Sequence, residues 1–220
     1  MAQRGVGGAG PSLGPAPGST GPDALAVYFA DMRRSAAEGG RRLWEVCGFE
    51  CAAPFELRAD ATEWVLLPRQ PMMLQSSAFR RESYLGVGGM RADLRSRHDS
   101  HLFFKLCIGQ PSCAVNHCGT EMTADDESGG RVTEAIGTRT PEYHLETVRL
   151  YRDVIDSFPH LSARYRAALR GRLSSAHVWL SKHRFGEWRL LRGVSHLAAA
   201  TVASPRRVFG GLGRKARPTG

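Results

Sequence analysis

Asp99 is the residue in this chain that most invites a chemical reading. It follows His98 and opens the stretch Ser100-His101-Leu102-Phe103-Phe104-Lys105-Leu106-Cys107, whose apolar positions recur at helical spacing. A carboxylate at a helix start suits the N-cap and the macrodipole. The same group, within hydrogen-bond reach of a hydroxyl, can act as a general base. Residue type alone favours the cap, and the two roles are compatible because a helix start holds the carboxylate rigidly. Upstream, Val87-Gly88-Gly89-Met90 reads as a glycine turn whose missing side chains let something approach the backbone closely, and a ligand could sit there. Cys107, Cys113, His117 and Cys118 gather thiols and an imidazole, but their spacing fits no usual zinc knuckle. Asp125-Asp126-Glu127, followed by Ser128-Gly129-Gly130, reads as a polar loop. Arg and aromatic residues interleave over Trp179, Lys182, Arg184, Trp188, Arg189 and Arg192, a mixture that can bind nucleic acid. The helical spacing of those aromatics favours core packing instead. No nucleophile elbow, Walker loop or Cys-x-x-Cys pair occurs.

The elements that must position these residues come from a chain of 220 residues, the size of one domain or one and a half. Its 42% hydrophobic and 23% charged content are globular values. Residues 1–22, with seven Gly and four Pro, read as a disordered leader. Gly5, Gly7 and Gly10 there carry dinucleotide-binding spacing without the strand and helix it needs. Ala26-Val27-Tyr28-Phe29 reads as a buried strand, Glu38-Gly39-Gly40 as a turn, and Leu43 to Val46 and Trp64 to Leu67 as further short strands. Met72 to Phe79 reads as another buried strand, followed by a short helix from about Arg81 and then the glycine turn. From Pro141 three apolar stripes predict helices: Val148-Tyr151-Ile155-Phe158, then Leu161 through Leu180, then Trp188-Leu191-Val194-Ala198-Val202. Residues 23–140 therefore form one domain, 141–204 an amphipathic helical extension with Arg-rich outer faces, and 205–220 a flexible basic tail.

Charge is divided unevenly. Residues 149–220 carry fifteen basic and three acidic side chains, whereas the whole chain is only +9. Such a block suits nucleic acid, an anionic membrane surface, an acidic partner or plain solvation. Five cysteines, an odd number, together with no signal-peptide core, point to reduced thiols and a cytoplasmic chain.

In order and spacing, Ser76-Ser77-Ala78-Phe79-Arg80-Arg81-Glu82, Val87-Gly88-Gly89-Met90 and His98-Asp99-Ser100-His101-Leu102-Phe103 resemble the acceptor-side half of family 2 glycosyltransferases, inverting enzymes of GT-A fold. The resemblance implies an α/β, partial GT-A-like fold followed by the basic helices. It also implies that Asp99 takes the proton from an acceptor hydroxyl, with Arg80, Gly88, Gly89, Met90 and His98 around the acceptor. The implied donor is a nucleotide-activated sugar. The implied acceptor is a saccharide or lipid-linked molecule in cell-envelope polysaccharide synthesis. The setting would be the cytoplasm or the inner face of the plasma membrane, with no nucleic-acid partner. Two departures stand out. His98 replaces the glutamate the family places before its aspartate, and the chain contains no Asp-x-Asp. The family's divalent metal, Mg or Mn, thus lacks its usual ligands here. The resemblance then implies a transferase truncated of its donor-binding half and inactive alone. The alternative is a non-enzymatic basic helical module that binds nucleic acid or an anionic membrane.

Overall fold

The structure, a computed structural model, describes residues 25–34, 39–122 and 137–210. The chain is mixed α/β. Four strands, β1 (Val27–Arg33), β2 (Phe55–Arg58), β3 (Ser77–Phe79) and β4 (Ser112–Glu121), form one sheet in the order β2-β4-β1-β3. β1 and β4 are parallel at the centre, and β2 and β3 run antiparallel on the two edges. Phe29 on β1 anchors the covered face. Its ring meets those of Trp44, Phe49 and Trp64 at centroid distances of 5.5 to 5.8 Å, in the tilted and edge-on geometries that aromatic quadrupoles favour.

Two segments rich in β-forming residues are helical instead. Leu43–Cys47 is helix α1, because the buried Asp31 carboxylate accepts the Trp44 N–H at 3.0 Å and Gly48, at φ 67°, closes the last turn. Thr62–Val65 is helix α2, started by Asp60, whose Oδ1 accepts the Thr62 N–H at 2.8 Å. In both, a carboxylate that satisfies first-turn donors overrides strand propensity. Strands β2 and β4 lie where the sequence reading placed none. Of the strand expected over Met72 to Phe79, only Ser77–Phe79 pairs, after a 3-10 turn at Leu74–Ser76.

Helix α3 (Arg81–Gly86) follows β3, and α4 (His98–Cys107) crosses from there to β4. Helices α5 (Pro141–Ser157), α6 (Ala163–Gly186) and α7 (Leu190–Ala203) complete the chain with α8 (Pro205–Gly210). Residues 205–210 are thus helical, correcting the flexible tail expected there. Pro205 opens α8 at a position where its missing N–H costs nothing, and Arg207 Nε donates to Ser175 Oγ of α6 at 3.1 Å. The leader (1–22) and the end of the tail (211–220) lie outside the described residues. Leu102, Phe103, Leu106, Val148, Leu150, Val154, Leu169 and Leu180 share one buried cluster with Phe29, so α5 and α6 pack on the same core as the sheet.

Candidate active site

Helix α4 ends at Cys107 and β4 begins at Ser112, so α4 runs antiparallel to the central parallel pair. Its first turn, with Asp99, therefore lies toward the carboxyl ends of β1 and β4, the side on which open α/β sheets bind ligands. Asp99 is not the N-cap, a place held by Arg97 without a side-chain cap bond. It is the second residue of the first turn, its Oδ1 accepts the Ser100 N–H at 2.6 Å, and its side chain stays partly exposed. His98, the first residue of α4, is likewise partly exposed.

What fixes this turn is α5. Glu146, 5% exposed, receives the backbone N–H groups of Arg95 at 3.0 Å and Ser96 at 2.8 Å, and the Ser96 hydroxyl at 2.6 Å. Burial raises its pKa, but these three donors outweigh burial and leave it below the usual carboxylate range. Two turns along α5, Asp153 accepts His101 Nε2 at 2.7 Å and pairs with Arg91 at 3.0 Å and Lys105 at 3.7 Å. Burial raises Asp153 too, and the His101 bond with the Lys105 and Arg91 charges turns the balance downward. His101 is itself pushed down by burial, partly countered by Asp153. Its Nε2 faces the Asp153 carboxylate and so donates to it, and its buried Nδ1 has no partner. Arg97 lies over the Tyr143 ring and donates to its hydroxyl. Helices α4 and α5 thus run side by side in the same direction, from Ser96 against Glu146 to Lys105 against Ser157.

Arg91 follows Met90 directly, so its pairing with Asp153 draws the glycine turn toward the same post that holds His101. Gly88 and Gly89 have φ of 82° and 66°, the left-handed conformation glycine adopts freely. At Gly89 the close neighbour is internal: a Cβ there would lie 3.0 Å from the Tyr84 ring, and Met90 N–H donates to Tyr84 Oη at 3.3 Å. Gly88 faces open space. Arg80 is bound into the fold through its backbone, its N–H donating to the Ala26 carbonyl at 3.2 Å.

Among the described residues no group of three or more His, Cys, Asp or Glu side chains is arranged to hold a metal ion. His101 and Asp153 are already engaged with two cations. The divalent metal that the resemblance implies finds no fitting set of ligands among the described residues. Cys107 is fully buried, and burial pushes its thiol up to about 12 against a weaker opposing bond from Ser112. Such a thiol is unreactive. Asp125, Asp126 and Glu127 lie outside the described residues. A cavity of about 340 Å³ opens at the opposite end of α4, between Thr62, Ile108, Phe158 and Tyr165, and holds none of the site residues expected from sequence.

Sequence reasoning passed over Glu146, Asp153 and Tyr143. A signal was present: Glu146 falls within the buried stripe Thr147-Val148-Leu150-Tyr151-Val154, and a carboxylate in an apolar stripe needs a reason to be there. Comparison with protein-family models, curated proteins and solved structures returns no match to this chain.

Proposed function

We propose that this chain is the acceptor-side part of a GT-A-like glycosyl-transfer fold. In this reading it moves a sugar from a nucleotide-sugar donor to a saccharide or lipid-linked acceptor. The observation that carries the reading is Asp99: a partly exposed carboxylate in the first turn of α4, toward the carboxyl ends of the parallel strands, in a turn fixed by Glu146 and Asp153. A general base needs this placement, because proton transfer requires a carboxylate held rigidly within reach of the hydroxyl.

The step is a single displacement. Asp99 takes the hydroxyl proton as the acceptor oxygen bonds to the anomeric carbon. The bond from that carbon to the diphosphate breaks, and its electron pair leaves with the nucleoside diphosphate, inverting the centre. His98 is placed one residue away to hydrogen-bond the acceptor. The chain has no Asp-x-Asp, so donor binding falls to a segment other than the one described.

The experiment joins this chain to an in-frame donor-binding segment and measures nucleoside diphosphate release from UDP-, GDP- and dTDP-sugars with saccharide acceptors. Asp99→Asn is expected to cut turnover about a hundredfold while donor affinity stays near normal. The 220-residue chain alone is expected to release none. A variant that keeps most of its turnover would return Asp99 to a purely structural role.

A further inference from the structure

Helix α7 is turned inside out. A surface helix ordinarily points its apolar stripe inward, yet the buried residues of α7 are Gly193 and Ala200. They face a polar stripe of α6. Ser181 Oγ donates to the Gly193 carbonyl at 2.8 Å, Ser174 Oγ donates to the Ala200 carbonyl at 2.9 Å, and His177 meets His196 at 3.1 Å. The helices approach so closely that a Cβ at Gly193 would lie 2.6 Å from the Phe185 ring. Small residues and serine-to-carbonyl bonds at a helix seam are the packing used where the surroundings are apolar.

The outer face is the apolar one. Leu191 (88% exposed) and Val202 (86%) lie on one line with Ala198, flanked by Leu190, Val194 and Leu197. At the corner before α7, the Arg189 N–H bonds the Arg184 carbonyl and the Trp188 N–H the Phe185 carbonyl. This is a Schellman closure of α6, with Trp188 in the left-handed position that glycine usually takes. Trp188 has φ 59° and is 86% exposed, so a bulky aromatic is held outward at a backbone cost. Beyond α7, Phe209 is also exposed. Arg189, Arg192 and Arg206 are exposed beside this surface, Arg189 with Glu187 3.8 Å away, and residues 188–210 contain no acidic side chain.

We infer that the outer face of α7, with Trp188 and Phe209 at its ends, seats the protein on an anionic lipid surface. Charge decides between occupants. A second copy would bring Arg189, Arg192 and Arg206 against their counterparts with Glu187 as the neighbouring carboxylate, and Glu187 is already held by Arg184 at 2.6 Å and His183 at 3.2 Å, whereas an anionic bilayer offers neutralising headgroups beside an apolar layer. Trp favours that boundary. The fourteen residues of α7 extend about 21 Å, short of the roughly 30 Å hydrocarbon core, so the helix lies in the plane of the surface. No helix among the described residues is long and apolar enough to cross a membrane. The inference stands whether or not the chain transfers sugar.

The test sediments the full chain with vesicles of phosphatidylcholine alone or mixed with phosphatidylglycerol. Binding is expected to be about tenfold or more stronger with the anionic lipid, to weaken as salt rises, and to shift Trp188 emission to the blue. Leu191→Glu with Val202→Glu, both outside the core, is expected to abolish binding. Trp188→Gly suits the left-handed corner better than Trp, so it keeps the fold and still weakens binding. Equal binding to both vesicle types would overturn the inference, as would binding that survives Leu191→Glu with Val202→Glu. A concentration-dependent dimer with no vesicle-bound fraction would assign the face to a second copy and also overturn it.

Discussion

The α4–α5 seam and the α6–α7 pair break the usual division of polar and apolar groups in opposite ways. In the first, two carboxylates lie inward, and each is answered: Glu146 by three donors, Asp153 by His101, Arg91 and Lys105. In the second, leucine and valine lie outward and serine and histidine inward. Satisfied buried charge confers position, because each bond fixes the backbone it comes from. Exposed apolar surface confers no position and acquires meaning only from what covers it. A site for chemistry is accordingly sought at α4 and a docking surface at α7.

The contrast breaks most sharply at Glu146. Glu146→Ala leaves two backbone N–H groups and a hydroxyl without their acceptor, and urea unfolding is expected to show a loss of about 3 kcal/mol. Acid separates the two regions more finely. His177 is pushed down to about 4 by burial first and then by Arg152 and His196. Arg152 donates to its Nε2 at 3.4 Å, so its Nδ1 carries the proton toward His196. The unfolded chain therefore takes up this proton first. The stability from neutral His177 is complete above its ordinary 6.5 and is lost as pH falls toward 4. Glu146 and Asp153, held below the carboxylate range, lose theirs as pH falls below their ordinary 4.5 and 3.8, where the unfolded chain takes up the protons first. His177→Asn should reduce the slope of the thermal midpoint between pH 6.5 and 4, leaving the part due to His101, His144 and His196, which burial also pushes down, and leave the acid limb in place. Thermal midpoints over that range check this. The smallest effect belongs to the outer face, where Leu191→Ser should move stability by no more than about 0.5 kcal/mol in the same urea titration.

Much of the helical layer was legible, because Val148-Tyr151-Ile155 and Leu169-Leu173-Ala176-Leu180 repeat at helical spacing and do face the core. The third stripe, Trp188 to Val202, was legible as a helix, but its direction was not. Periodicity marks a face without saying which side the fold turns it to, so the expectation of core packing for Trp188 fails. Short elements escaped for another reason. The strand expected over Leu43 to Val46 is a helix because Asp31, twelve residues upstream, supplies a cap that no local pattern reveals. Asp99 was legible as a residue at a helix start. Its positioning by Glu146 was not, since the two meet through the intervening backbone of Arg95 and Ser96, about fifty residues apart in sequence from their acceptor.

The measurement that bears most directly on the account is amide hydrogen exchange at Arg95, Ser96 and Ser100, compared between the native chain and Glu146→Gln. If α5 holds the start of α4, these three amides are protected in the native chain and exchange much faster in the variant, while the amides of α6 and α7 keep their rates. Unchanged protection at Arg95 and Ser96 in Glu146→Gln would contradict the claim that Glu146 positions Asp99.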